Sequence, residues 1–434
     1  SNRNNNNEYE YDRTNGRNET ATAQRIVLES GDKATLTPEI MGMIHEASLA
    51  SENYCWTCHS YLDAKAAAAD DDNDDDDTPA AAPPPATPPV LPRGSPAHIQ
   101  QTDTWSCGYR NYQMLLSALL PRIHGNARHA VFQKLPRRLP PTATGLPSLR
   151  QIQAGMEDAW GEGFDPDGAD HYRNKIAGKR GASARIGAME VASLCWYHGI
   201  DASVVQFVKC AESRNRLPLF LLSYFATHHD TGRHGFRANR PGTDALRFAE
   251  SAMYMADLYS GYSRSSMRDV MRHYTVRKRN SYDDDDDNDN NNNDGDSPNP
   301  VYPLLPLYLQ WEGHSVTVVG IEAEKEFEPF SPCPSPVSYY FLVLDPLKKS
   351  GRLRTDLGKS NDNNTNNEIP PSVRLPWKDI AEKDLQIVLC TARSMEYSER
   401  RVGGHELSEK RVVTAAPKAV QAFLDLQKTC PWLK

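Results

Sequence analysis

Long runs of this chain carry too little apolar surface to fold, and that limits where a core can form. Residues 70–77 are Asp with a single Asn, 79–89 are mostly Ala and Pro, and 283–299 are mostly Asp and Asn. Residues 1–20 and 359–367 are polar and Asn-rich. Such segments cannot bury enough apolar surface to offset the entropy of ordering them. A length of 434 residues would otherwise suggest two or three domains. The expectation here is a largely disordered region over 1–94, then one folded unit over 95–434 with disordered insertions at 283–299 and 359–367.

Charge follows the same division. The net charge is −8, but the two Asp-rich runs hold fifteen of the 57 acidic residues. Without them 42 acids face 49 bases, so the remainder is mildly basic at +7. Solubility is the simplest use of such a balance, and a contiguous basic face for nucleic acid is the rival reading. Direct nucleic-acid binding is not expected. The eight cysteines form no disulfide framework, and no apolar run approaches the ~18 residues of a membrane span. No leader is visible from Ser1 onward. The expected setting is reducing, in the cytoplasm or nucleus, without a membrane.

Cys55-Trp-Thr-Cys58-His59 has the spacing of half a zinc knuckle. The second half should follow within about 12–20 residues, and poly-Ala and poly-Asp follow instead. A degenerate knuckle at 55–59 is the favoured reading, and no metal or cofactor is expected.

Periodicity gives helices over 38–50, 149–160, 186–198 and 245–274, with Gly199 closing the third and a last helix over 418–427. Residues 164–169 read as a turn, and 217–226 as either strand or helix, with strand favoured. Strands are expected over 200–207, 304–311, 314–321, 338–345 and 386–390, with Glu312-Gly313 as a tight turn. Helices first and paired strands later give an α+β fold with an antiparallel sheet.

The stretch from Gln100 to Leu120 carries the chemistry. Asp103, Thr104 and Ser106 are candidate N-caps, and Leu115, Leu116, Leu119 and Leu120 form a helical apolar stripe. Cys107 stands at the junction, where the helix dipole and unpaired N–H groups favour thiolate. A small buried cysteine opening a core helix would look the same. A nucleophile also needs a base and an acceptor that orients it. Among the 13 histidines, His314 stands out because it opens a strand at the rim of the sheet. With the ends of 314–321 and 338–345 flush, His314 faces Asp345 and Ile321 faces Ser338, at about 4.5–5.5 Å between Cβ atoms. Gln310, across the hairpin, and Gln101, six residues before Cys107, are candidate oxyanion donors beside the Cys107 N–H.

Four segments carry a resemblance: Trp-Ser-Cys107-Gly-Tyr-Arg-Asn-Tyr-Gln-Met-Leu, Leu-Pro-Ser-Leu-Arg-Gln-Ile-Gln, Tyr-Leu-Gln310-Trp-Glu-Gly-His314-Ser and Leu-Val-Leu-Asp345-Pro. Together they resemble the zinc-finger-containing ubiquitin peptidase family, related to the ubiquitin-fold-modifier-specific cysteine proteases, in blocks over about 95–395. The resemblance implies a papain-like fold with Cys107 as nucleophile, His314 as base, Asp345 as its orienter and Gln310 as oxyanion donor. Trp105, Gly108, Tyr109 and Glu190 are the expected substrate-contacting positions. The order Cys, His, Asp resembles the deubiquitinating branch, which favours extended polyubiquitin chains, whereas the modifier-specific branch places the acid just before the histidine. The expected reaction is thiol-dependent hydrolysis after the C-terminal Gly-Gly of ubiquitin. The rivals are a peptidase for the ubiquitin-fold modifier and an inactive ubiquitin-binding module.

Overall fold

The computed structural model describes residues 27–28, 34–51, 53–59, 94–124, 145–177, 183–207, 216–226, 245, 249, 252, 304–324, 338–363, 369–394 and 411–414. In chain order the elements are β1 (Val27–Leu28), β2 (Thr35–Thr37), α1 (Glu39–Ala50), β3 (Tyr54–Thr57), β4 (His98–Gln100), α2 (Cys107–His124), β5 (Gly145–Leu146), α3 (Leu149–Gly161), α4 (Pro166–His171) and α5 (Ala188–Tyr197). They continue with β6 (Ile200–Phe207), α6 (Arg216–Ala226), β7 (Leu307–Trp311), β8 (His314–Ala323), β9 (Tyr339–Leu344), α7 (Ser350–Asn363), β10 (Arg374–Pro376), β11 (Leu385–Ser394) and β12 (Val412–Thr414).

The main sheet runs β10-β9-β8-β7-β11-β6-β12, antiparallel except for the parallel β6–β12 pair. β8 is its long central strand. β9 lies along one side of β8, and the ten residues of β8 outrun the five of β7 on the other. A half-covered strand leaves main-chain donors and acceptors unpaired in the core, which is costly. β3 takes that vacant half, with Tyr54 opposite Ala323 and Thr57 opposite Gly320. The Cys58 carbonyl then accepts from Leu304 N–H at 2.8 Å, so β3 and the approach to β7 meet end to end.

The folded unit therefore begins well before residue 95. α1 buries Ile40, Met41 and Ile44 completely, and Trp56 on β3 is 3% exposed. The segment expected as a zinc knuckle is this core strand, followed by a turn at Cys58 and His59. Among the described residues no group of three His, Cys, Asp or Glu side chains could hold a metal, and no helix is long and apolar enough to cross a membrane.

α2 lies against the sheet with Tyr109, Tyr112, Leu115, Leu116 and Leu119 buried. α5 packs on β6 and β11, and α6 on β8 and β3. Two assignments change. Residues 217–226 form a helix rather than a strand, because Leu217, Phe220, Leu221, Leu222, Tyr224 and Phe225 are buried on every side and leave no periodicity to read. The expected turn at 164–169 holds α4, which Asp165 caps by accepting from Gly168 N–H at 3.1 Å with Pro166 as the first helical residue. α7 also runs into the expected insertion as far as Asn363. The insertion at 283–299 and the helices expected at 245–274 and 418–427 lie outside the described residues, apart from 245, 249 and 252.

Candidate active site

Asp103 shapes the entry to α2. Its Oδ1 accepts from the N–H groups of Trp105 and Ser106 at 3.0 and 2.7 Å, and the Ser106 carbonyl takes the first helical bond from Arg110. Cys107 is thus the first helical residue, with no acceptor for its N–H inside the helix and its thiol at the positive end of the dipole. One turn on, buried Asn111 fastens the helix to β8. Its Nδ2 donates to the Cys107 carbonyl at 2.9 Å and to Ser315 Oγ at 3.0 Å, and its Oδ1 accepts from Thr317 Oγ1 at 2.8 Å.

His314 opens β8 directly after the Glu312-Gly313 turn, where Gly313 adopts φ +84°. Its Nε2 lies 3.1 Å from Asp345 Oδ1, which leaves Nδ1 for the Cys107 thiol. The three residues meet, but not by the flush register. The ladder pairs Thr317 with Leu344 and Val318 with Val343, then shifts at a bulge so that Gly320 pairs with Leu342 and Ile321 with Phe341. Asp345 therefore lies past the end of β9, in a turn where its Oδ1 also accepts from Leu347 N–H at 3.0 Å. It reaches His314 from beyond the sheet rather than across it.

The electrostatics favour a charged pair. Burial pulls the His314 imidazole down, but hydrogen bonds to the Asp345 carboxylate and to Cys107 outweigh it and hold it at about 9. Burial pushes the Cys107 thiol up, but hydrogen bonds from His314 and Ser315 prevail and leave it below its ordinary 9.0. Asp345 is held below the usual carboxylate range because His314 and the Leu347 N–H outweigh its burial. These shifts favour a thiolate, an imidazolium and a carboxylate in series over their neutral forms.

The oxyanion candidates part company. Gln101 donates its amide to the Asp103 carbonyl at 2.8 Å, and so is spent on the entry loop. Gln310 Oε1 accepts from buried Tyr308 O–H at 3.2 Å, which turns its NH₂ away from Tyr308. Gln310 also lines a cavity of about 620 Å³ with Asp165, Asp167, His171, Gly187 and Glu190. Glu190 does face this cavity, while its Oε2 accepts from Gly187 N–H at 2.8 Å as the cap of α5. Burial, then the charge of Asp165, raises the Glu190 carboxyl, and burial also raises Asp165.

Two positions expected to touch substrate are packed within the fold. Tyr109 is fully buried with its hydroxyl donating to the Ala184 carbonyl at 3.0 Å. Gly108 lets the Ile186 main chain pass so close that an added Cβ would sit 2.5 Å from its carbonyl oxygen. Gly187, next in that strand of chain, could carry no side chain without meeting the Gln310 amide at about 3 Å. Trp105 is half-buried, edge-on to Tyr109 at 5.6 Å. Residues not anticipated from the sequence are Asn111, Tyr308, Ser315 and Thr317. Helical spacing from Cys107 singles out Asn111, and alternation along the hairpin puts the other three on the face of Gln310.

A cysteine opening a buried helix, set against a histidine–aspartate pair at the rim of an antiparallel sheet, is the arrangement a cysteine-type peptidase needs, carried here on an α+β fold. The chain belongs to peptidase family C78, which matches residues 97–371. Among similar proteins, "Zinc finger-containing ubiquitin peptidase 1" of Mus musculus is 34% identical over 127 residues, which is 28% of this chain and 19% of that one. The Homo sapiens protein of the same name is 36% identical over 126 residues, again 28% and 19%. The matched stretch spans about a fifth of the length of these relatives. A solved structure, UfSP from C. elegans, covers 69% of this chain and 34% of its own at 13% identity and a TM-score of 0.28, a likeness too slight to argue from.

Proposed function

We propose that this chain is a thiol-dependent deubiquitinase that hydrolyses isopeptide bonds after a C-terminal Gly-Gly, with Cys107 as nucleophile. The observation that carries the reading is the His314 Nε2–Asp345 Oδ1 contact at 3.1 Å, with the other imidazole nitrogen left to Cys107. The Cys107 thiolate attacks the isopeptide carbonyl, and the Cys107 N–H and Gln310 amide hold the oxyanion. The His314 imidazolium gives its proton to the departing lysine amine. Neutral His314 then takes a proton from water, which cleaves the thioester and restores the pair.

The preference for Gly-Gly rests on the narrow entrance. The main chain of Ile186 and Gly187 passes against Gly108 on one side and Gln310 on the other, so substrate residues without Cβ fit best beside Cys107. Glu190, Asp165 and Asp167 give the adjoining cavity acidic walls, suited to a tail with a basic side chain. Extended polyubiquitin in the cytoplasm or nucleus is the substrate that goes with this reading.

Labelling with ubiquitin bearing a C-terminal thiol-reactive warhead tests it, beside the same probe built on the ubiquitin-fold modifier. The expected result is an adduct with the ubiquitin probe, absent in Cys107→Ala. An adduct with the modifier probe alone would move the substrate to that modifier. No adduct with either would leave a binding module.

A further inference from the structure

We infer that His98 is a positioning residue for Asp345, and that β4 is the device that aims the acid of the triad. The inference rests on the proposed triad and deepens it. Since Asp345 stands past the last pair of the β8–β9 ladder, the sheet does not fix it. β4 does. His98 Nε2 lies 3.0 Å from the Asp345 main-chain carbonyl, and three residues on the Gln101 N–H donates to the Pro346 carbonyl at 2.9 Å. Between them, Gln100 Oε1 accepts from Ser350 N–H at 3.0 Å, at the start of α7. The turn 345–350 is thus held at three points, two from β4 and one from the residue that follows it.

The chemistry fixes the state of His98. A carbonyl oxygen only accepts, so Nε2 must carry the proton. Nδ1, at 3.1 Å from Ser350 Oγ, is then the acceptor of the serine proton. Both nitrogens are used by a neutral ring, and the ring is fully buried, where an imidazolium is disfavoured. β4 is itself anchored through β2, with His98 opposite Thr37 and Gln100 opposite Thr35. Removing the imidazole leaves the Asp345 carbonyl only the Lys348 N–H at 3.0 Å, a bond within the turn, and so frees the turn as a unit to drift from His314. Displacements of about 1 Å at a reacting centre cost up to about 100-fold in rate.

The test uses the whole chain and two readouts over a pH series. One is kcat and KM on a ubiquitin C-terminal fluorogenic substrate. The other is the rate of Cys107 alkylation by iodoacetamide, read at the Cys107 peptide by mass spectrometry, which needs no ubiquitin. In His98→Leu, kcat is expected to fall about 10- to 100-fold with KM nearly unchanged. Neutral-pH alkylation slows, and the alkaline limb moves to lower pH as His314 loses its carboxylate partner. His98→Gln, which can still donate to the carbonyl, recovers most of both. Ser350→Ala, which removes only the hydroxyl, shows the same shift in smaller measure. Should His98→Leu not fold, Ser350→Ala decides. A folded His98→Leu, or in its stead Ser350→Ala, with normal kcat and an unmoved alkaline limb would overturn the inference. If wild type ignores ubiquitin substrates while its alkylation profile responds to His98 as described, the substrate reading fails and the positioning of Asp345 stands.

Discussion

The ionic states of Cys107 and His314 set the pH window in which the site can work. The reactive form holds thiolate and imidazolium together, and the two titrate as a pair with apparent values that belong to both. His314 is held at about 9, above its ordinary 6.5, so as pH rises through about 9 the imidazolium is lost and with it the proton for the leaving amine. Cys107 lies below 9.0, so as pH falls the thiolate is protonated and activity ends on the acid side. The expected kcat/KM profile is bell-shaped, with an acid limb set by Cys107 and its alkaline limb near 9. In Asp345→Asn the raising carboxylate is gone while burial still pulls the imidazole down. The alkaline limb should move to lower pH, and kcat should drop on the order of 10²-fold or more. A mutant profile superimposable on wild type would remove Asp345 from the triad. These three residues were legible from the sequence by type and place: a thiol where a polar turn becomes an apolar helix, a histidine opening a strand after a Gly turn, and an Asp-Pro ending one. How they meet was not legible. The bulge between Val318 and Gly320 and the grip of β4 on the turn are tertiary facts that residue spacing along 314–345 does not contain.

At the scale of elements, β8 is the organising strand, and Gly320 is where two partners crowd it. A Cβ built there would lie 2.4 Å from the Trp56 carbonyl oxygen and 3.1 Å from a Leu342 methyl. The first is main chain, which cannot swing aside as a side chain can. Gly320→Ala should therefore lift β3 from β8 and lower stability by about 1–3 kcal/mol. In a chain of this size that is a Tm lower by several degrees, roughly 2–4 °C for each kcal/mol, readable by scanning calorimetry. An unchanged Tm would mean that β3 contributes little. Elements with strong local signals were read closely. Ser148 forms a capping box with Gln151 at the start of α3, and Gly199 takes φ +77° at the end of α5, as a helix-closing glycine should. β6 agrees with its expected limits because it follows the Gly199 stop and carries β-branched Ile200, Val204 and Val205. β3 could not be read that way. Its four residues sit between a polar stretch and poly-Ala, and only the uncovered half of β8, some 260 residues on, makes them a strand.

For the whole molecule, the consequence is that the N-terminal pieces belong to the fold that carries the site. Ile40, Met41, Ile44 and Trp56 are all at least nine-tenths buried. At about 1.5–3 kcal/mol for each such side chain, their burial amounts to roughly 6–12 kcal/mol before the cost of ordering them. A domain's entire stability is commonly about 5–15 kcal/mol. Removing them would also uncover the side chains they rest on and leave half of one edge of β8 without partners, an invitation to aggregate. β2 would go as well, and with it the support behind β4, the strand that holds the Asp345 turn. A chain beginning at residue 95, which composition alone would recommend, should show no cooperative thermal transition and no adduct with the ubiquitin probe. A chain beginning at residue 25 should retain both, because it keeps every described element. If the shorter chain melts at the same temperature as the longer and labels at the same rate, α1 and β3 are coverings the catalytic unit can shed. If it melts normally but labels slowly with a lowered alkaline limb, then the N-terminal pieces act through β4 on Asp345 rather than through the core.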